Sequence, residues 1–226
     1  MVPSTKLSFT YPHQIPAFIL GFLFLCLTLP TLSAQQIVVQ PYLQNAEPTS
    51  IIISWETDSL NESIVEWGTS NQSLNQLAIG TFVPSQGSAR IHHTLVDSLQ
   101  PGTLYFYRTK TGIAVSDTFH FRTPPLPASE ISTRFVAASD MQIDNSNPTK
   151  WNDIVQNGII DYVQSNFGSN LSDEIAFMLL PGDLVAHGPT YSQWQNDFFN
   201  PAHPLYAYVP VYPVLGNHEV NSPFYF

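Results

Sequence analysis

Three apolar stretches end in residues that could hold a metal or a phosphate. Arg134 to Ser139 runs into Asp140. Leu179-Leu180-Pro181 runs into Gly182-Asp183. Val209 to Leu215 runs into Gly216-Asn217-His218-Glu219. A carboxylate at the carboxyl end of a buried strand is held rigidly and aimed out of the sheet, the placement such a ligand needs. Carboxylate and Asn carbonyl oxygens with a His nitrogen suit Mn²⁺, Fe or Zn²⁺ rather than a thiolate metal. One carboxylate can bridge two cations about 3.5–4 Å apart, and such a pair binds a phosphoryl oxygen and lowers the pKa of a bound water. Gly182 and Gly216 let the backbone turn sharply beside the ligands.

The elements needed to position these residues are legible around them. Arg134 to Ser139 predicts a buried strand. Asn147 as cap and Pro148 in the first turn predict a helix, in which Trp151, Ile154, Val155, Ile159, Ile160 and Val163 recur at helical spacing. Ile175 to Leu180 predicts the next strand, Tyr191, Trp194 and Phe198 a second helix, and Val209 to Leu215 a third strand. Strand-helix-strand-helix-strand implies a mostly parallel sheet with crossover helices. Upstream the grammar is different. From Ile37 to Pro125 about seven short strands alternate with Gly, Pro, Asn and Ser turns, at the spacing of a β-sandwich. Thr49 to Trp55 puts Ile51, Ile53 and Trp55 on one face, and Leu77 through Val83 reads as one of the strands. His92 and His93 are adjacent in a strand and point to opposite faces, so they cannot chelate one ion; one is expected packed and one exposed. The tryptophans and tyrosines of this half are expected in its core.

Composition narrows the function. The chain of 226 residues is 43% hydrophobic and 13% aromatic, which is globular, and carries a formal charge of −10. An acidic chain is a poor partner for nucleic acid, but a metal centre would supply the positive charge a small phosphate ester needs. Lys6, the apolar run Ile15 to Leu29, Pro30 and Leu32-Ser33-Ala34 read as a secretory signal over residues 1–34. The run is short for an uncleaved membrane anchor, and no lipobox-like pair precedes Cys26. Loss of that segment would remove the single cysteine and take the charge to about −11. The mature protein would be secreted or periplasmic, disulfide-free and not inserted in a membrane. The lack of cysteine points weakly to a bacterial source, and the sequons at Asn61, Asn71 and Asn170 matter only in a eukaryotic secretory pathway.

The Trp55 strand and Leu99-x-Pro101-x-Thr103-x-Tyr105-x-Tyr107 resemble a fibronectin type III module. Pro41-Tyr42-Leu43-Gln44, His92-His93 and Phe119-x-Phe121-x-Thr123-Pro124-Pro125 fit the version found at the N-terminus of purple acid phosphatases. The ordered set Asp140, Gly182-Asp183, Gly216-Asn217-His218-Glu219 resembles the calcineurin-like metallophosphoesterase superfamily. The resemblance implies a two-domain chain: an all-β fibronectin type III-like sandwich at 37–124, a Pro-rich linker at 125–131, and at 132–226 the first half of an α/β metallophosphoesterase domain, a four-layer β-sandwich flanked by helices. It implies two metal ions (Fe, Mn or Zn), with Asp140 on the first, Asp183 bridging and Asn217 on the second. His218 would contact the scissile phosphate or its leaving oxygen, and Glu219 would be the acidic partner that orients it. The implied activity is hydrolysis of phosphomonoesters by an acid-phosphatase-like hydrolase.

Three departures qualify this. Gln142 stands where many superfamily members place a His ligand, and Ala186 where purple acid phosphatases place the tyrosine that colours the iron, which argues against an iron–tyrosinate centre. Gln142 and the neighbouring His187 are accessory candidates; His203, in a loop, is not expected to be a ligand. The later histidine motifs of the family do not follow Glu219, so a truncated product with an unpaired sheet edge and an open core, weak metal binding and little turnover is expected. The first-half motifs equally fit a phosphodiesterase or nucleotidase of the superfamily. A non-catalytic binding or adhesion module on a degenerate phosphoesterase scaffold is the reading from another class.

Overall fold

The computed structural model describes residues 1, 3, 4, 35–144 and 146–225. The chain divides into two compact units, Met1–Ser33 and Ala34–Phe226. The signal segment from residue 5 to 34, with its apolar run and Cys26, lies outside the described residues. Among the described residues no helix is long and apolar enough to cross a membrane.

The second unit opens with nine strands: β1 (Ile37–Glu47), β2 (Ser50–Thr57), β3 (Ile64–Gly68), β4 (Gln76–Ile79), β5 (Thr81–Pro84), β6 (Arg90–Val96), β7 (Leu104–Thr111), β8 (Ala114–Val115) and β9 (Phe119–Arg122). One sheet runs β1-β2-β6-β5, the other β4-β3-β7-β8 with β9 also on β7. The alternation seen in the sequence fills the space between them: Ile51, Ile53 and Trp55 of β2 are fully buried with Leu43, Val65, Tyr107 and Phe121. Each such side chain contributes roughly 1.5–3 kcal/mol of burial. The Trp55 indole N–H donates to Thr111 Oγ1 at 3.0 Å, as a buried indole must.

Two expectations change here. The single strand expected from Leu77 to Val83 is two strands in different sheets, β4 on β3 and β5 on β6. The switch falls at Gly80, where a Cβ would stand 2.1 Å from the His93 carbonyl oxygen, so no side chain fits. Neither histidine of the His92-His93 pair is exposed. His92 is buried between the hydroxyls of Thr57 and Ser63, 2.8 Å from each, and stacks on Trp55; His93 is half-buried with Nδ1 2.8 Å from Ser54 Oγ. Hydroxyl partners thus occupy both ring nitrogens of His92 and Nδ1 of His93.

The rest is a three-stranded parallel sheet in sequence order: β10 (Phe135–Ala137), β11 (Phe177–Pro181) and β12 (Val211–Val214). Between β10 and β11 run α1 (Lys150–Asp153), a π-helical stretch (Ile154–Ile160), α2 (Asp161–Asn166) and α3 (Leu171–Glu174). Between β11 and β12 run α4 (Tyr191–Gln193), a second π-helical stretch (Trp194–Phe199) and α5 (Asn200–Tyr206), which takes in His203. Right-handed crossovers between neighbouring strands taken in one direction bring both helical layers to the same face. Met178, Leu180 and Val211 accordingly pack against Trp151, Val155, Trp194 and Phe198. The opposite face is open: Phe135 is 54% exposed, Leu179 40% and Val214 59%. β11 and β12 are therefore buried on one face only, and β10, exposed at Phe135 and Ala137 and half-buried at Val136, is not the buried strand expected from Arg134 to Ser139. The first helix also starts later than Asn147-Pro148 predicts. Asp144 Oδ1 accepts the amides of Ser146 and Asn147, both at 2.8 Å, which makes a turn there and delays the helix to Lys150.

Sandwich and sheet share contacts. Val39 and Tyr42 of β1 belong to the core under the parallel sheet. Tyr107 donates its hydroxyl to the Ala207 carbonyl at 2.8 Å, and the Tyr212 hydroxyl accepts the Ala46 amide at 3.0 Å. Gln195 Nε2 donates to Glu56 Oε2 at 3.0 Å. These bonds fix β12, and so the strand ends, against the sandwich.

Candidate metal centre

The strand order decides the site. β11 lies between β10 and β12, so the Gly182-Asp183 end of β11 stands between the Asp140 loop and the Gly216–Glu219 loop. The Asp140 amide donates to the Gly182 carbonyl at 3.4 Å, and the His218 amide donates to Asp183 Oδ1 at 3.1 Å. Asp183 is half-buried, whereas Asp140 and Asn217 are exposed. Asp140 and Asp183 both turn out of their strands in the left-handed region, φ +57° and +52°. Asp tolerates that conformation better than most residues, yet it is strained and clusters at functional sites.

The glycines beside Asp183 are dictated by contact. A Cβ on Gly216 would lie 2.2 Å from Asp183 Oδ1 and 2.3 Å from the Asp183 amide nitrogen. One on Gly182 (φ +91°) would lie 2.7 Å from Gly216 Cα. The two loops touch backbone to backbone, with the Asp183 carboxylate held where a side chain on residue 216 would be.

Glu219 is not where its expected role needs it. Its side chain does not orient His218. It is fully buried and takes four main-chain amides: Oε2 accepts from Asp183 at 3.0 Å and Gly216 at 2.6 Å, Oε1 from Leu184 at 2.7 Å and Val185 at 3.3 Å. Four N–H groups converge because the chain reverses after Gly182 and after Gly216 with no ladder partner for those amides, and a carboxylate satisfies them all at once. The partner of the His218 ring is main chain. Nδ1 lies 2.8 Å from the Ala186 carbonyl oxygen. A carbonyl only accepts, so Nδ1 carries the proton and Nε2 is the free nitrogen. Ala186 enters the site through its backbone. His187 is exposed, with Nδ1 3.0 Å from Thr190 Oγ1 and its amide on Gln193 Oε1.

Sequence reasoning missed three participants. Lys150 donates from Nζ to the Asp140 carbonyl at 2.8 Å, and Ser139 Oγ donates to Asp140 Oδ2. Gly188 packs on the Glu219 main chain, where a Cβ would stand 2.1 Å from the carbonyl oxygen, and its amide donates to the His218 carbonyl at 2.9 Å. Lys150 left one trace, as the only lysine after Lys110.

The donor set fits a cation in type. It offers two carboxylates, an amide carbonyl at Asn217 and a half-buried Gln142 whose Oε1 is buried without a hydrogen bond, an orphaned acceptor of the kind a cation satisfies. Among the described residues no three His, Cys, Asp or Glu side chains are grouped so that they could hold a metal ion.

Comparison with known proteins agrees with both halves. Residues 36–123 match the family model "Purple acid Phosphatase, N-terminal domain", and residues 133–226 match "Calcineurin-like phosphoesterase". Purple acid phosphatase 18 of Arabidopsis thaliana is 28% identical over 188 residues, 81% of this chain and 38% of its own length. Purple acid phosphatase 21 of the same plant is 26% identical over 95% of this chain and 43% of its own length, and purple acid phosphatase 1 of Ipomoea batatas 30% identical over 77% and 36%. The chain thus spans less than half the length of these relatives. Among solved structures, that of PhoD superposes with a TM-score of 0.61 at 14% identity, covering 85% of this chain and 41% of PhoD, and at that identity it speaks for the fold. A purple acid phosphatase N-terminal domain and a calcineurin-like phosphoesterase domain therefore follow one another in this chain, which is purple acid phosphatase-like along both.

Proposed function

We propose that the chain belongs to an exported, metal-dependent phosphoesterase of acid-phosphatase type that hydrolyses phosphomonoesters. The observation that carries the reading is the placement of Asp140, Asp183 and Asn217-His218 on the ends of three adjacent parallel strands, with Asp183 in the middle and no room at Gly216 for anything but its carboxylate. In this reading Asp140 would be a ligand of the first metal, Asp183 would serve both and Asn217 would be a ligand of the second, with Gln142 as an oxygen donor next to Asp140 in the chain. The bound pair would supply an activated water and charge neutralisation for the phosphoryl group. The protein's own share is positioning and proton handling. The bond from the His218 amide fixes one oxygen of Asp183, and the Glu219 clamp holds the amides of Asp183 and Gly216 on either side. The Ala186 carbonyl keeps one proton on Nδ1, leaving the Nε2 lone pair to take up a second from solvent and, as the imidazolium, give it to the leaving oxygen. Glu219 supports the loop and stays out of the chemistry.

Titration of the chain with Mn²⁺ by calorimetry, beside Asp183→Asn, tests the reading. Binding by the parent and loss of at least tenfold in affinity in the variant are expected of a central carboxylate. Equal binding by the two would sink it. Metal-dependent release of phosphate from an aryl phosphate by a product that continues through the remaining length of the relatives would extend the test to turnover.

A further inference from the structure

Asp140 is the strand-end carboxylate with the least packing around it. It is exposed and bent into the left-handed region, with φ +57°. Its amide bond to Gly182 is long, at 3.4 Å, and the hydroxyl on its carboxylate comes from its own neighbour, Ser139. The short bond that ties it to another packed element is the one from Lys150 Nζ to its carbonyl oxygen, 2.8 Å. Lys150 opens α1, and the next residue, Trp151, is 1% exposed in the core under the sheet. The ammonium is thus held by the helix and reaches back across the polar loop to the turn at Asp140.

The charge makes this placement informative. Residues 133–226 contain two Lys or Arg side chains, Arg134 and Lys150. Arg134 is paired with Glu174, away from the strand ends. A cation next to a proposed metal ligand opposes metal binding by Coulomb repulsion, so its presence calls for an offsetting contribution. We infer that Lys150 is a positioning residue: by holding the Asp140 carbonyl it keeps the residue in its left-handed turn, aims the carboxylate along the strand end beside Asp183, and thereby raises the cation affinity of the site. The inference rests on the metal-centre reading above.

The sign of one substitution separates this from simple electrostatics. Lys150→Met keeps the aliphatic stem but removes both charge and donor. Charge alone makes Mn²⁺ bind tighter in that variant; lost positioning makes it bind weaker, by about tenfold, the usual size of a supporting contact to a ligand. Lys150→Arg keeps a donor and is expected to restore most of the affinity. Amide hydrogen exchange on the full chain supplies a readout independent of metal. Exchange at Asp140 is expected to accelerate in Lys150→Met and recover in Lys150→Arg, while Leu184 and Val185, held by Glu219, stay protected. Unchanged exchange at Asp140, or Mn²⁺ binding as tight as or tighter than the parent's in Lys150→Met, would overturn the inference. If the parent chain binds no Mn²⁺, the metal reading falls and with it the claim on affinity, while exchange at Asp140 still decides whether Lys150 holds the turn.

Discussion

Replacing Glu219 with glutamine changes one atom and reverses the hydrogen-bonding sense of half the group. The carboxylate receives four amides, two on each oxygen. Glutamine keeps one acceptor oxygen and turns an NH₂ toward the other pair of N–H groups, whichever way the amide is flipped. Two buried donors then face a donor, at about 1–3 kcal/mol each. The surviving pair loses its charge assistance, which is worth a further fraction of about 1 kcal/mol per bond. The expected cost is about 3–5 kcal/mol, a large share of the ~5–15 kcal/mol that holds a typical domain together. At the size of this unit that lowers Tm by roughly 6–20 °C. Urea unfolding of Glu219→Gln beside the parent measures it. The competing role, in which Glu219 orients His218, has its own signature: stability within about 1 kcal/mol of the parent with a displaced His218 ring resonance. That outcome would refute the clamp.

Two further predictions concern space and protons. Gly216→Ala is expected to push the Asp183 carboxylate out of place, because the new Cβ meets its Oδ1 at 2.2 Å and its amide nitrogen at 2.3 Å. Overpacking of this kind costs about 1–3 kcal/mol, and Mn²⁺ affinity should fall with it; calorimetry and urea unfolding on one preparation check both. His92 governs an acid limb of sandwich stability: burial first, then the neighbouring His93 and Arg90, push its pKa from 6.5 down to about 4. Because the folded value is depressed, the neutral ring's contribution is complete above pH 6.5 and is lost as the pH falls toward 4. The hydroxyls of Thr57 and Ser63 and the Trp55 ring face it, the charges of His93 and Arg90 act from nearby, and none of these offers a negative charge to offset protonation. The urea midpoint of His92→Asn should therefore lie furthest below the parent's near pH 7 and approach it by pH 4, and a constant gap would exclude the assignment.

Much of the site can be read from the sequence because strand-end chemistry is local. An apolar run followed by Gly-Asp or Gly-Asn-His-Glu places its own polar residue at the carboxyl end, and the βαβ pattern places three such ends on one sheet. What Glu219 and Lys150 do could not be read, since both act on main-chain groups. The four amides that converge on Glu219 and the carbonyl that receives Lys150 belong to every residue alike and leave no mark in residue type. An open core was expected, but which face of the parallel sheet is bare was hidden for a related reason. Phe135, Leu179 and Val214 are as apolar as their buried neighbours, and composition does not say which face the helices cover.

The sequence by itself determined the two grammars of the chain, the alternating core of the sandwich, and the three chemistry-bearing strand ends, because periodicity and turn residues act within a few positions. Only the tertiary structure decided that the strand carrying Asp183 is the middle one, that the Gly80 backbone divides one strand between two sheets, and that Glu219 closes the loops while a carbonyl orients His218. Those outcomes depend on contacts 30 or more residues apart for the Glu219 carboxylate, at 34 to 36 residues from three of its four amides. Such contacts are set by which surfaces can pack together, a choice made by the fold as a whole.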